Sequence, residues 1–143
     1  YEDLSIFKIY CLDVGLLRVL SEVSPEAYLN DNPAFKEFKG ALAENYVLQS
    51  LTASGVKCSR YWASGNKAEV EFIIQEGLDI IPIEVKSGTS VTGKSLVEYN
   101  KKYSPKLRLR FSMLNMKKDD TFVNMPLFMA DRAKELIEQL TCQ

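Results

Sequence analysis

The stretch AEVEFIIQEGLDIIPIEVK, residues 68–86, decides the fold. Apolar and polar side chains alternate on both sides of Glu76-Gly77, which is typical of two strands joined by a tight turn. We therefore predict strands at Ala68–Gln75 and Leu78–Lys86 that pair as an antiparallel hairpin. The apolar side chains of the first strand are expected on one face: Ala68, Val70, Phe72 and Ile74.

Three charged side chains are expected on the opposite face of this hairpin. If Glu76-Gly77 forms a two-residue loop, Glu71 lies opposite Pro82, with Glu84 one step diagonally away at roughly 7–8 Å. Lys86 shares the face of Glu84 because it lies two residues further along the strand. Carboxylates so close together favour a raised pKa or a bound divalent metal. A cross-strand salt bridge to Lys86 is the structural alternative.

A third carboxylate precedes the hairpin on a predicted helix, Ala34–Ala53, which ends at Gly55. The spacing puts Glu44 on the apolar face of this helix. Its expected neighbours there are Gly40, Ala41, Val47, Leu48 and Leu51. A buried carboxylate needs a cation or another partner. The alternative is an acid at the edge of the apolar face that pairs with a lysine.

The remaining pattern alternates helices with strands and predicts a mixed α/β domain with a central sheet. The expected elements are a strand at Ser5–Tyr10, a helix at Leu12–Leu20, a loop at Ser24–Pro33, a strand at Lys57–Ala63, a loop at Ser87–Gly93, a helix at Lys94–Tyr103, strands at Leu107–Met113 and Phe122–Met129, and a helix that Asp131 caps and that ends at Leu140.

Charge is distributed unevenly along the 143 residues. The chain has 18 basic and 19 acidic side chains, yet Val85–Lys118 carries nine basic residues against the single acid Glu98, a net charge of +8. Such a basic block can mark a polyanion-binding surface. The candidate nucleic-acid contacts are Lys94, Lys101, Lys102, Arg108 and Arg110. The alternative is an ordinary solvent-exposed surface whose basic side chains pair with acidic side chains elsewhere in the fold.

Composition excludes several classes of protein. The chain has no histidine, which excludes imidazole bases and His-ligated zinc. Three cysteines without a CxxC pair indicate reduced thiols and a cytoplasmic location. No apolar run approaches the roughly 20 residues that span a bilayer, so no membrane contact is expected. The chain begins with Tyr1, and we interpret it as a piece of a longer protein.

A helical Glu, a strand acid and then Glu-x-Lys on the next strand resemble the PD-(D/E)XK nuclease superfamily. The resemblance implies that Glu44, Glu71 and Glu84 hold Mg²⁺ or Mn²⁺ and that Glu71, Glu84 and Lys86 act on a DNA phosphodiester. The metal would activate water, and the lysine would orient that water or stabilise the phosphate. The superfamily usually has Asp where this chain has Glu71, which favours a fold that binds without cleaving.

Three further motifs resemble one bacterial and archaeal family, the uncharacterised C-terminal domain that follows an AAA-type ATPase module. They are FKIYCLDVGLL at 7–17, KGALAENYVLQSL at 39–51 and PIEVKSG at 82–88. The resemblance implies a restriction-endonuclease-like fold and an upstream ATPase module as partner. Residues 1–30 would then be a lead-in segment and 31–143 the nuclease-like core, with the oligomeric state left open.

Residues 88–95, GTSVTGKS, also match the phosphate-binding pattern GxxxxGK[ST] between a strand and a helix. We expect no ATP binding, because the preceding strand carries charged residues and only 48 residues follow Ser95. The sequence therefore leaves three candidate functions: a metal-dependent deoxyribonuclease, an inactive nuclease-like binding module and, least favoured, nucleotide binding by this loop.

Overall fold

The computed structural model describes residues 7–29, 32–58, 60–65, 68–89 and 92–141, and its fold is mixed α/β, as predicted. The helices are α1 Val14–Leu20, α2 Pro25–Leu29, α3 Lys36–Ala53, α4 Lys94–Tyr103 and α5 Ala133–Thr141, with short 3₁₀ helices at Pro33–Phe35 and Leu127–Arg132. The strands are β1 Arg60–Ala63, β2 Glu69–Glu76, β3 Asp79–Val85, β4 Arg108–Ser112, β5 Lys117–Asp119 and β6 Phe122–Pro126.

The strands form one six-stranded mixed sheet in the order β1-β2-β3-β4-β6-β5. β1, β2 and β3 are antiparallel neighbours, whereas β3, β4 and β6 run parallel. β5 closes the far edge antiparallel to β6. A parallel pair needs a crossover connection, and α4 provides it between β3 and β4.

The two faces of the sheet are covered differently. The α3 face packs against α3 and α5 and contains most of the apolar core, including Val47, Leu51, Ile83 and Phe111. The α4 face has a small apolar cluster of Val70, Leu96 and Tyr99. It also carries a polar row across three parallel strands: Glu84 on β3, Arg110 on β4 and Asn124 on β6. This polar row contains Glu84 and Arg110, two of the predicted site residues.

The hairpin forms as predicted, but its register is shifted by two residues. Glu76 pairs with Asp79, so Gly77 and the fully exposed Leu78 form the loop. Gly77 has a φ of 58°, a conformation that glycine adopts without strain. The predicted pairing of Glu71 with Pro82 is wrong, since Ile73 lies opposite Pro82. A shift of two residues preserves the faces over the paired residues, 72–76 with 79–83.

A bulge in β2 changes which residues share a face. Trp62 pairs with Val70 and Arg60 with Ile73, so two residues of β2, 71 and 72, oppose one residue of β1. Val70 therefore packs against Leu96 on the α4 face, whereas Phe72 belongs to the core on the α3 face. The prediction that Val70 and Phe72 share a face is wrong for this reason.

Helix α3 forms over the predicted range, with different buried residues. It buries Ala43, Val47, Ser50 and Leu51, together with Asn45, whereas Ala41 is exposed. The helix has two covered sides, because the sheet packs on one and the 7–20 segment on another. Asn45 accepts a hydrogen bond from the Cys11 amide at 2.8 Å on that second side. A single apolar face was therefore the wrong expectation.

Several smaller elements also differ from prediction. Residues 7–10 of the expected first strand have no regular structure, and Ser5 and Ile6 lie outside the described residues. Two elements were missed, α2 and the exposed edge strand β5. The last strand stops at Pro126, and Asp131 lies inside the following 3₁₀ helix instead of capping α5. No helix in the described ranges is long and apolar enough to cross a bilayer.

Candidate functional site

The structure brings Glu71, Glu84 and Lys86 together where β2 begins and β3 ends. The Lys86 amine lies 3.3 Å from Glu84 Oε1 and 3.6 Å from Glu71 Oε1. The lysine side chain remains about one-third exposed, whereas the Glu84 side chain is 1 % exposed. One lysine thus faces two largely buried carboxylates, and this cluster is called the Glu–Glu–Lys site below.

Glu84 has an unusual environment for a charged side chain. Its Oε2 atom is buried and has no hydrogen-bond partner among the described residues. A buried carboxylate oxygen without a partner is costly, and native structures retain such groups mostly where a ligand, ion or water satisfies them. This oxygen therefore has hydrogen-bonding capacity that the described residues do not use.

Glu71 is held more tightly by the protein. Its Oε2 atom accepts a hydrogen bond from the Val85 amide at 3.1 Å, across the β2–β3 pair. Burial raises the pKa of Glu71 to about 7, although Lys86 and the Val85 amide oppose the shift. The Glu71 carboxyl can therefore bind or release a proton near neutral pH.

Glu44 lies beside this cluster but has different partners. Its Oε2 atom accepts a hydrogen bond from the Tyr10 hydroxyl at 3.4 Å and lies 3.9 Å from the Lys8 amine. Lys8 also pairs with Glu69. Burial raises the pKa of Glu44, and the nearby Lys8 charge opposes that shift. The structure shows a half-buried acid in an ion pair with Lys8, and the metal-ligand role that the sequence predicts for Glu44 stays a prediction.

The acidic side chains do not form a compact ligand shell. No group of three or more acidic, cysteine or histidine residues in the described chain is close enough to hold a metal ion. Glu71 and Glu84 alone are oxygen donors suited to Mg²⁺, which commonly binds one or two carboxylates and completes its shell with water or phosphate. The donor chemistry fits such a two-carboxylate site, with Glu84 Oε2 as the oxygen that lacks a partner.

Arg110 faces the site, although the sequence placed it on a nucleic-acid surface. It lies beside Glu84 in the β3–β4 register and is half-buried, with its guanidinium over the Phe122 ring at 4.8 Å. Asn124 fixes it by accepting a hydrogen bond from Arg110 Nε at 2.9 Å. Burial lowers the pKa of Arg110, and Glu84 opposes the shift. Arg110 thus supplies positive charge next to Glu84.

Sequence reasoning missed Asn124, the most connected polar residue of the α4 face. Its Oδ1 atom also accepts a hydrogen bond from the Ser112 hydroxyl, and its amide donates to the Leu114 and Asn115 carbonyls. The side chain is 2 % exposed. An Asn in the middle of the apolar FVNMP strand was the available signal, because buried amides need partners.

The other predicted basic contacts are more dispersed. Lys94, Lys101 and Lys102 are exposed on α4, and Lys101 pairs with Glu98 at 2.8 Å. Arg108 is half-buried and donates to the Thr121 hydroxyl at 2.9 Å. The three lysines are exposed to solvent, whereas the two arginines are half-buried.

The GxxxxGK[ST] loop leads directly to the polar row. A Cβ atom on Gly93 would lie 3.4 Å from Arg110 Nη1 and 4.0 Å from Glu84 Oε2, and Gly93 has a φ of 55°. The loop backbone therefore passes close over Glu84, and Ser90 and Val91 lie outside the described residues. A phosphate bound beside Gly93 would face this buried carboxylate.

Comparison with known families assigns the chain. Residues 39–128, well over half of the sequence, match a domain of unknown function, DUF4143, and the chain belongs to this family. The family is commonly found in proteins associated with AAA-type ATPases. Comparison with curated proteins and with solved structures gives no match.

Proposed function

We propose that this DUF4143 domain is the nuclease-like module of an AAA-ATPase-associated protein and hydrolyses DNA phosphodiester bonds with Mg²⁺ or Mn²⁺. The observation that carries the proposal is the buried, partnerless Oε2 atom of Glu84, beside a second carboxylate and a lysine. The order of Glu44, Glu71 and Glu-x-Lys along the chain supports the PD-(D/E)XK relationship and a restriction-endonuclease-like interpretation of the sheet.

Glu84 and Glu71 are the residues that would hold the metal. Bound there, the cation would lower the pKa of a coordinated water and neutralise phosphate charge. Lys86 is one-third exposed, so its amine can turn from the carboxylates towards a phosphate oxygen. Arg110 offsets the charge of Glu84 from the α4 face.

A binding module without catalysis is the second candidate. The observation that favours it is the bond between Glu71 Oε2 and the Val85 amide, which uses one carboxylate oxygen for structure. Glu44 is likewise engaged by Tyr10 and Lys8. In this function Lys86 stays paired with the two carboxylates, and the fold binds nucleic acid or a protein partner for the ATPase.

Calorimetric titration with Mg²⁺ and Mn²⁺, paired with hydrolysis of fluorescent duplex and single-stranded DNA, tests the proposal. We expect wild-type protein to bind the cation and cleave, and Glu84→Gln to lose both. Glu98→Gln is the matched control, because Glu98 is an exposed acid on α4, and it should retain both. A wild type that binds neither cation would contradict the nuclease and favour the binding module.

A further inference from the structure

Three aromatic side chains form a cluster between α4 and the β1 edge of the sheet. The Trp62 ring packs edge-on against Tyr99 at 5.2 Å and against Tyr103 at 6.1 Å, and the two tyrosine rings lie 4.7 Å apart. Trp62, Tyr99 and Tyr103 are called the aromatic platform below. Packing against Val70 accounts for Tyr99, which is 6 % exposed. Packing does not account for Tyr103, which is 49 % exposed.

The exposed Tyr103 ring is held in a fixed position. The Trp62 indole donates a hydrogen bond to the Tyr103 hydroxyl at 3.3 Å, and the Lys102 amine lies over the Tyr103 ring at 5.1 Å from its centroid. These hydrogen-bonding neighbours lower the pKa of Tyr103. An aromatic ring that is fixed and half-exposed offers a flat apolar surface at little entropic cost.

Positive charge accompanies this surface. Lys102 makes no ion pair within the described chain, and Lys101 is held in the same helical turn by Glu98. The neighbouring strand contributes the exposed Arg60, which precedes Trp62 by two residues and shares its side of β1. Aromatic surfaces flanked by cations recognise unpaired bases joined by phosphates, whereas duplex DNA keeps its base faces stacked inside.

The platform and the Glu–Glu–Lys site share strand β2. Trp62 pairs with Val70 on β2, and Glu71 is the next residue along that strand. We propose that the platform binds a base of single-stranded nucleic acid on Tyr103, where the base displaces the Lys102 amine from the ring and Lys102 contacts the adjacent phosphate. The inference rests on the proposed function in one respect: it assigns single-stranded nucleic acid as the substrate class of the Glu–Glu–Lys site.

The chain has one tryptophan, so its fluorescence reports on the platform directly. Without metal, titration of the full chain with a twelve-nucleotide oligothymidylate should quench Trp62. The same oligonucleotide built from abasic residues keeps the phosphates without the bases, and it should bind about tenfold more weakly. Equal affinity for the two oligonucleotides would overturn the inference, because the phosphates alone would then explain binding.

Variants separate stacking from folding. Tyr103→Leu should weaken oligothymidylate binding about tenfold and leave the affinity for duplex DNA unchanged. Tyr103→Phe keeps the aromatic ring and should bind oligothymidylate with nearly the wild-type affinity. Phe128→Leu, at another exposed aromatic residue outside α4, is the control and should have no effect. A parallel loss of duplex affinity in Tyr103→Leu would also overturn the inference.

The proposed function can fail independently of this inference. Glu84→Gln should retain oligothymidylate binding and Trp62 quenching even though it abolishes any cleavage. If wild-type protein binds the single strand through Tyr103 but never hydrolyses it with Mg²⁺ or Mn²⁺, the platform stands and the nuclease does not. If it cleaves without a preference for bases over abasic phosphates, the nuclease stands and the platform does not.

Discussion

The two faces of the sheet are built on opposite principles. The α3 face buries a continuous apolar core in which Leu51, Leu109 and Phe111 are completely inaccessible to solvent. The α4 face buries the Glu84–Arg110–Asn124 row and only a small apolar cluster. Burial of apolar side chains stabilises the fold whatever their exact orientation, because the hydrophobic effect is not directional. Buried polar groups cost free energy unless hydrogen-bond partners are correctly placed. The α3 face therefore carries most of the stability, and the α4 face carries the buried polar residues on which the proposed function depends.

A matched pair of leucines tests this division most strongly. Leu51 and Leu96 are both essentially buried, one on each face. We expect Leu51→Ala to lower the free energy of unfolding by about 4 kcal/mol and Leu96→Ala by about 2 kcal/mol, because the cavity beside α4 can relax towards the surface. Urea denaturation measures both values. Equal losses would show that the two faces contribute alike to stability.

The pH dependence of stability tests the electrostatic cost of the Glu–Glu–Lys site. Burial raises the pKa of Glu71 from 4.5 to about 7, so between these values the folded protein binds more protons than the unfolded chain. Stability should therefore fall as pH rises from 4.5 through 7, by about 3 kcal/mol in wild type. Denaturation at pH 5 and pH 8 measures it.

Glu71→Gln provides the control for this effect. The variant retains an oxygen that can accept the Val85 amide hydrogen bond but has no charge to bury. Its stability should change little over the same pH range, and Mg²⁺ at pH 8 should stabilise wild type more than the variant. A wild type whose stability rises between pH 5 and 8 would contradict the placement of Glu71 in a desolvated site.

Two buried asparagines, Asn124 on the α4 face and Asn45 on α3, allow the buried polar groups on the two sides of the sheet to be compared. Asn124→Ala should cost about 2 kcal/mol, because it leaves Arg110 Nε and the Ser112 hydroxyl without their acceptor. Asn45→Ala removes a pair of bonds to the Cys11 backbone, which is partly accessible to water, and should cost about 1 kcal/mol. Urea denaturation distinguishes them, and calorimetry with Mg²⁺ should show altered binding only for Asn124→Ala.

The sequence predicted the elements of this fold better than their contacts. Alternation identified the hairpin, and helical spacing identified α3 and α4. The register was missed because either Glu76-Gly77 or Gly77-Leu78 can form a two-residue loop, and the sequence pattern does not choose between them. The bulge at residues 71 and 72 was missed because Val70 and Phe72 look equivalent by period, although they pack on opposite faces.

The candidate site was predicted in part for similar reasons. The Glu-x-Lys spacing correctly brought Glu84 and Lys86 to one cluster, since local periodicity fixes their relative direction. The partner of Glu44 was missed because Lys8 and Tyr10 come from an irregular segment that has no periodic signature. The environment of Arg110 depends on a parallel neighbour, β6, which is distant in sequence.

The smallest expected effect concerns charge on the two sides. Lys101 and Lys102 lie on α4, whereas Lys36 and Lys134 are exposed on α3 and α5. If the α4 side faces nucleic acid, replacing a contacting lysine with Gln should reduce the slope of log affinity against log salt by about 0.9 on duplex DNA and about 0.7 on single strands. Lys101 should contribute less than Lys102, because Glu98 already pairs with it.

The Lys36→Gln and Lys134→Gln variants are the controls and should leave the slope unchanged. Fluorescence anisotropy across a salt series measures the slope for all four lysine variants. A slope that responds equally to lysines on both sides would mean that binding is a property of net charge and not of the α4 side.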